Sequence, residues 1–254
     1  GVDAYSKAFV LLQLPHGLLA VSIATTFVPD LARMFHRGDH QQFSRTMSSG
    51  IRLTALLTIP ASCGLLVMSK PIIGLLFQHG NFSAAATANT ARALSGLAIG
   101  LAGFSLYLFV LRGFYARNDT RTPFFINIGE NAINIVLAIV LVDRHGVLGL
   151  GLAFSIAYLV SALVALLVLE STEVDIKLSE LAFNIARISF AAGAMTYAVW
   201  FTIQYIGSDA GLGALTRVIA GTLIGVTTYV VALSALGEKT MRDYLSSKIT
   251  KSSR

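Results

Sequence analysis

Charge is scarce in this chain. Only 13% of its 254 residues are Asp, Glu, Lys or Arg, against roughly 25% in soluble domains. So thin a supply cannot clothe a water-facing surface. With 55% hydrophobic residues and a mean hydropathy of +0.71, lipid must be the solvent for most of that surface. Cysteine is scarcer still: Cys63 stands alone inside an apolar run, which excludes an intrachain disulfide and leaves the redox compartment open. No Ser/His/Asp set, no metal cluster and no phosphate-cradling loop can be read in the sequence, so an enzyme is the least supported class and no catalytic or metal-binding residue is assigned. The start of this sequence has no basic n-region with a cleavage site, so no signal peptide is expected in it. The chain starts at Gly1, already within a helical pattern, and is expected to be a piece of a longer protein.

What is present is a series of long apolar runs. A span needs about 20 such residues, and backbone groups in lipid must be satisfied within helices or a closed barrel. Runs such as 147–169 lack the in-out alternation of barrel strands. The expected fold is therefore all-α, a polytopic helical membrane protein with seven transmembrane helices. A net charge of +6 would suggest nucleic acid in a soluble chain. Here the basic residues concentrate in short loops, as membrane orientation requires, and no nucleic-acid partner is expected.

The first span runs from about Tyr5 to Phe27, and Pro15 and Gly17 mark a helix break beside Gln13. Residues 31–49 read as a polar, basic connection carrying a short surface helix. His36 and His40 lie one turn apart within it and fit a solvated loop better than a metal site. The second span, 51–68, contains Pro60 and has Arg52 at its mouth, where a long side chain can snorkel. Residues 72–79 are too few to cross and read as an interfacial segment. Asn81 or Ser83 can cap the next helix, whose span, about 93–111, presents Gly96, Gly100 and Gly103 on one smooth face. Between Arg112 and the fourth span lies a polar island, Gly113-Phe114-Tyr115-Ala116-Arg117-Asn118-Asp119-Thr120-Arg121-Thr122-Pro123.

The fourth span, 123–142, is the least apolar. Asn127, Asn131 and Asn134 share one helix face, with Glu130 beside it. These four, with Lys7, Gln13 and Arg52, are the candidate substrate or cavity residues. The competing reading of the α-helical asparagines is interhelical polar glue, and an ionisable group inside a span faces the bundle interior or a wet cavity. A tight turn at 143–146 leads to the fifth span, 147–169, and an acidic-leaning loop at 170–184 to the sixth, 185–206, with Trp200 and Tyr205 at its far interface. The seventh, 215–236, carries a Gly221/Gly225 small-residue pair, and a basic tail occupies 238–254. Seven alternating spans place fourteen of the 19 Lys and Arg residues on the face of the 31–49 loop. The positive-inside rule then puts the C-terminus and the 113–123 connection in the cytoplasm and Gly1 outside.

Three stretches in this order resemble the MurJ (MviN) family of lipid II flippases: Gln13-Leu14-Pro15-His16-Gly17 with Asp30-Leu31-Ala32-Arg33, then Leu76-Phe77-Gln78-His79-Gly80-Asn81-Phe82, and, most specific, the island from Gly113 to Pro123. The resemblance covers essentially the whole chain and suggests an actinobacterial source. It implies a fourteen-helix transporter of the multidrug/oligosaccharidyl-lipid/polysaccharide exporter superfamily, of which this piece holds an incomplete second lobe (1–170), a cytoplasmic loop (171–184), two C-terminal helices (185–237) and a tail. It further implies translocation of an undecaprenyl-pyrophosphate-linked peptidoglycan precursor by alternating access in the bacterial cytoplasmic membrane. The implied partners are membrane lipids, the N-terminal lobe and cell-wall-synthesis proteins; no cofactor is implied beyond an ion gradient or membrane potential. Where relatives carry an arginine in the first helix this chain has Val10, and Lys7 either supplies the charge from one turn away or snorkels to the interface. The island, with Gly113, Tyr115, Arg117, Asp119, Arg121 and Pro123, is expected to set the geometry of an inward gate. The alternatives are an ion-coupled exporter of drugs or polysaccharide-linked lipids from the same superfamily, and a non-transporting scaffold for cell-wall enzymes.

Overall fold

The computed structural model describes residues 1–79, 82–172 and 176–237. Helix α1 (Val2–Pro15) passes through a π turn (His16–Val21) into α2 (Ser22–His36), so the first span is one continuous rod with a widened turn and no break. Pro15 has no N–H to offer the Leu11 carbonyl, and the wider turn follows directly after it. The remaining helices are α3 (His40–Val67), α4 (Ser69–Phe77), α5 (Ala84–Ala116), α6 (Arg121–His145), α7 (Val147–Glu170), α8 (Leu178–Tyr205) and α9 (Gly211–Ala235).

Among the described residues, six rods are long and apolar enough to cross a membrane: α1–α2, α3, α5, α6, α7 and α9. Helix α8 has the length, 28 residues, but its Thr, Tyr and Gln residues dilute its apolar content. The chain is thus a polytopic helical membrane protein. The expected connection at 31–49 is corrected: α2 runs to His36 and α3 starts at His40, leaving a turn of Arg37, Gly38 and Asp39. Asp39 caps α3 by accepting from the Gln42 N–H at 3.1 Å. His36 and His40 both pack edge-on against the Phe35 ring. Of the two expected caps for α5, Ser83 accepts from the Ala86 N–H at 3.2 Å, and Asn81 lies outside the described residues.

Helix α5 is the spine. It is buried along most of its length and packs against α1, α2, α3, α4 and α7. The glycine face read from the sequence meets α7: a Cβ at Gly96 would fall 2.8 Å from the Leu148 carbonyl oxygen, and one at Gly100 would fall 2.5 Å from the Ser155 Cα. That closeness lets the Ser155 hydroxyl donate to the Gly96 carbonyl at 2.6 Å, the kind of contact small residues allow between helices in lipid. Gly221 and Gly225 of α9 both make room for the Val199 side chain of α8, and Gly221 also for the Met68 sulfur.

Pro60 removes one rung from α3, orphaning the carbonyl of Leu56 four residues earlier. In lipid such a group must find another donor. The Tyr229 hydroxyl on α9 donates to it at 2.7 Å, fully within the core. A proline on one helix thereby fixes the seat of another.

Candidate functional site

Helix α5 stops after Ala116 because Asn118 adopts a left-handed backbone, φ 58°. The N–H groups of Arg117 and Asp119 both return to the Phe114 carbonyl, and that of Asn118 to Tyr115, each at 3.0 Å. Asparagine follows glycine as the residue that tolerates this closing geometry. Asp119 then serves the next helix: its Oδ1 accepts from the N–H groups of Arg121 and Thr122, both at 3.0 Å. Burial pushes the Asp119 carboxyl up. The hydroxyl and N–H of Thr122, the N–H of Arg121 and the nearby Arg117 charge outweigh burial and hold it below the usual carboxylate range.

Arg117 does not pair with that aspartate. Its guanidinium donates to the Thr172 hydroxyl at the end of α7 and lies 5.7 Å from the centre of the Phe35 ring near the end of α2. One side chain therefore ties the α5–α6 connection to the ends of two other helices. Gly113 admits Met47 of α3, whose Cε would sit 2.9 Å from an added Cβ. Tyr115 and Arg121 are exposed and Pro123 is buried. Replacing Asp119 by alanine is expected to cost about 1 kcal/mol, as helix-cap losses do. Because the folded carboxyl is held low, its contribution is present above the unfolded value and is lost as pH falls through the folded one. Melting curves of wild type and D119A should therefore differ at pH 7 and converge well below about pH 4; a gap independent of pH would contradict the cap.

The α6 candidates divide. Asn131 Nδ2 donates to the Asn127 backbone and side-chain oxygens, each at 2.9 Å, and Asn127 Nδ2 reaches the Tyr107 hydroxyl on α5 at 3.4 Å. Asn127 and Asn131 are exposed and Asn134 half-buried, so this face opens away from the helices packed behind it. Glu130, beside that face on the helix, is turned inward and is only 2% exposed. Its Oε1 has no hydrogen-bond partner. Tyr107 of α5 and Tyr158 of α7 both lie within electrostatic reach of it.

An aromatic ladder leads from these tyrosines to the π turn. Tyr107 meets Tyr158 at 5.5 Å between ring centres, Tyr158 meets Phe104 at 4.9 Å, and Phe104 meets His16 at 4.4 Å. His16 Nδ1 is 3.0 Å from the Ser105 hydroxyl. A cavity of about 270 Å³ opens beside the turn, with His16, Thr25, Ser105 and Arg112 in its wall. Gln13 and Gly17 are exposed on the same rod. Lys7 is engaged near the rod's start, paired with Asp3 and 5.4 Å from the centre of the Phe82 ring. Arg52 lies elsewhere, in the wall of a cavity of about 750 Å³ between α3 and the start of α8, with Arg45, Lys177 and Glu180. The structure thus brings together the α5–α6 connection, and separately Asn127, Asn131 and Glu130; Lys7 and Arg52 belong to neither group. His16, Tyr107, Tyr158 and Thr172 are polar partners that sequence reading missed.

The family model for the lipid II flippase MurJ matches residues 1–221. The chain belongs to the MurJ family. It is 31% identical over 223 residues to a "Probable lipid II flippase MurJ" of Rhizobium meliloti (strain 1021), covering 88% of this chain and 42% of that protein. A "Probable lipid II flippase MurJ" of Thermotoga maritima is 32% identical over 222 residues, covering 87% of this chain and 43% of the relative. The "Lipid II flippase MurJ" of Thermosipho africanus is 28% identical over 204 residues, 80% of this chain and 42% of its own. A solved structure described as "Lipid II flippase MurJ, inward closed conformation" superposes with a TM-score of 0.79 at 25% identity, covering 94% of this chain and 48% of that one. The chain spans less than half the length of these MurJ relatives.

Proposed function

We propose that this chain forms part of a flippase that carries lipid II, the undecaprenyl-pyrophosphate-linked peptidoglycan precursor, from the inner to the outer leaflet of the bacterial cytoplasmic membrane. The family match across residues 1–221 is the observation that carries this reading. The motion is alternating access, completed with the N-terminal lobe and driven by an ion gradient or membrane potential. In this reading the end of the bundle held by Arg117, Asp119 and Asn118 is cytoplasmic and acts as a hinge block at the inward gate. The polar face of Asn127 and Asn131 lines the space shared with the rest of the protein. Membrane lipids surround the apolar faces, and cell-wall-synthesis proteins consume the delivered precursor.

Depletion of the full-length protein tests the proposal. Lipid-linked precursor should accumulate in the inner leaflet while its outer-leaflet pool falls. A normal outer-leaflet pool in depleted cells that hold no second flippase would overturn it.

A further inference from the structure

The most exposed helix of the bundle buries its one internal charge. Between Arg121 and Asp143, Glu130 is the only Asp, Glu, Lys or Arg of α6, and Pro123 and Glu130 are the residues that α6 buries. Phe124, Phe125, Ile128, Ile135 and Val136 are turned outward, and Ile126 and Ile133 are only half-buried. No large apolar side chain of α6 is fully buried, so apolar burial alone does not explain the packing of this helix face. Helix α6 presents a carboxyl group to α7 and α5.

The group sits nine residues past Arg121, about 13 Å along the axis, well inside a hydrocarbon layer of about 30 Å. The groups within electrostatic reach of it are uncharged, Tyr107 from α5 and Tyr158 from α7, and Asn127 of its own helix reaches the Tyr107 hydroxyl. No Lys or Arg among the described residues forms an ion pair with it. Its enclosed Oε1 accepts no hydrogen bond. A carboxylate so nearly enclosed, with no cation paired to it and one oxygen accepting no hydrogen bond, is strongly disfavoured, whereas the neutral acid is far less so. The site is thus built for one small cationic ligand that needs no coordination shell, the proton.

We propose that Glu130 is a proton-binding site of the transport cycle: neutral while α5, α6 and α7 enclose it, and deprotonated when a change of packing at the α6–α7 face admits water. Binding adds H⁺ from the aqueous phase to one carboxylate oxygen, and release returns it to water on the wetted side. The aromatic ladder from Tyr158 through Phe104 to His16 places the π turn of the first rod within the same packed unit. The cycle itself rests on the flippase reading above; the proton site does not.

Two measurements on the full-length protein separate the ideas. Infrared spectra of the purified protein at neutral pH should contain a protonated carboxylic acid band that is missing in E130Q; identical spectra for the two would overturn the site. In vesicles containing lipid II, the wild-type translocation rate should change when the imposed pH gradient is reversed. E130Q should translocate equally under either gradient, and E130D should recover the difference. A gradient response retained in E130Q, or absent from the wild type, would overturn the coupling. A wild type that shows the carboxylic acid band yet moves no lipid II would remove the cargo and leave the proton site standing.

Discussion

A single methyl group added at Gly151 is expected to cost this protein about 3 kcal/mol of stability, the upper range for overpacking a close-fitted core. The new Cβ would lie 2.7 Å from the Leu97 nitrogen and 2.9 Å from the Gly96 Cα. Both are backbone atoms, so no side-chain rotation can relieve the clash. Helices α5 and α7 must move apart, and the bond from the Ser155 hydroxyl to the Gly96 carbonyl is lost with them. Gly193→Ala is the matched control: nothing lies within 4 Å of its added methyl, and helix propensity should leave it neutral or up to about 1 kcal/mol more stable. Thermal melts in detergent would show the contrast. A G151A melt that matches the wild type would mean that α5 and α7 do not pack through this glycine seam.

Tyr229→Phe should come next, at about 1–3 kcal/mol, the usual cost of stranding a buried acceptor. The change removes one oxygen and nothing else from the α9–α3 contact. It leaves the Leu56 carbonyl without a donor, because Pro60 has already removed the helical one. Tyr197→Phe, on an exposed position of α8, should change little. If restoring the helical donor by Pro60→Ala rescues Y229F, the two residues act on the same carbonyl; an unrescued Y229F would place the loss elsewhere.

The spans were legible because lipid forces long apolar runs, and the glycine seams were legible because helical spacing alone puts Gly96, Gly100 and Gly103 on one side. The stretch at 31–49 misled for the same reason. Polar composition reports the solvent, and a helix that leaves the membrane becomes polar without ceasing to be a helix, as α2 and α3 do up to the three-residue turn between them. The angular place of Glu130, roughly 60° from Asn127 at about 3.6 residues per turn, could be read; that α7 lies on the Glu130 side could not. Pairings such as His16 with Ser105 or Arg117 with Thr172 join residues 89 and 55 positions apart, and no local pattern announces them. Tyr229 is an intermediate case. Pro60 declares that a carbonyl needs a donor, but only the fold names it.

Gly146 alone separates α6 from α7, with a backbone of φ 59° and ψ −134° that suits glycine. A helix carrying an acidic residue near its middle is a poor candidate for insertion by itself, since Asp at a span centre costs about 2.5–3.5 kcal/mol on insertion scales. With one residue between them, α7 follows α6 out of the ribosome at once, and the pair can leave the translocation channel as a hairpin with Glu130 already shielded. The shortness of that turn is therefore a matter of biogenesis as much as of architecture: it limits how long the growing chain shows a bare acid to the lipid.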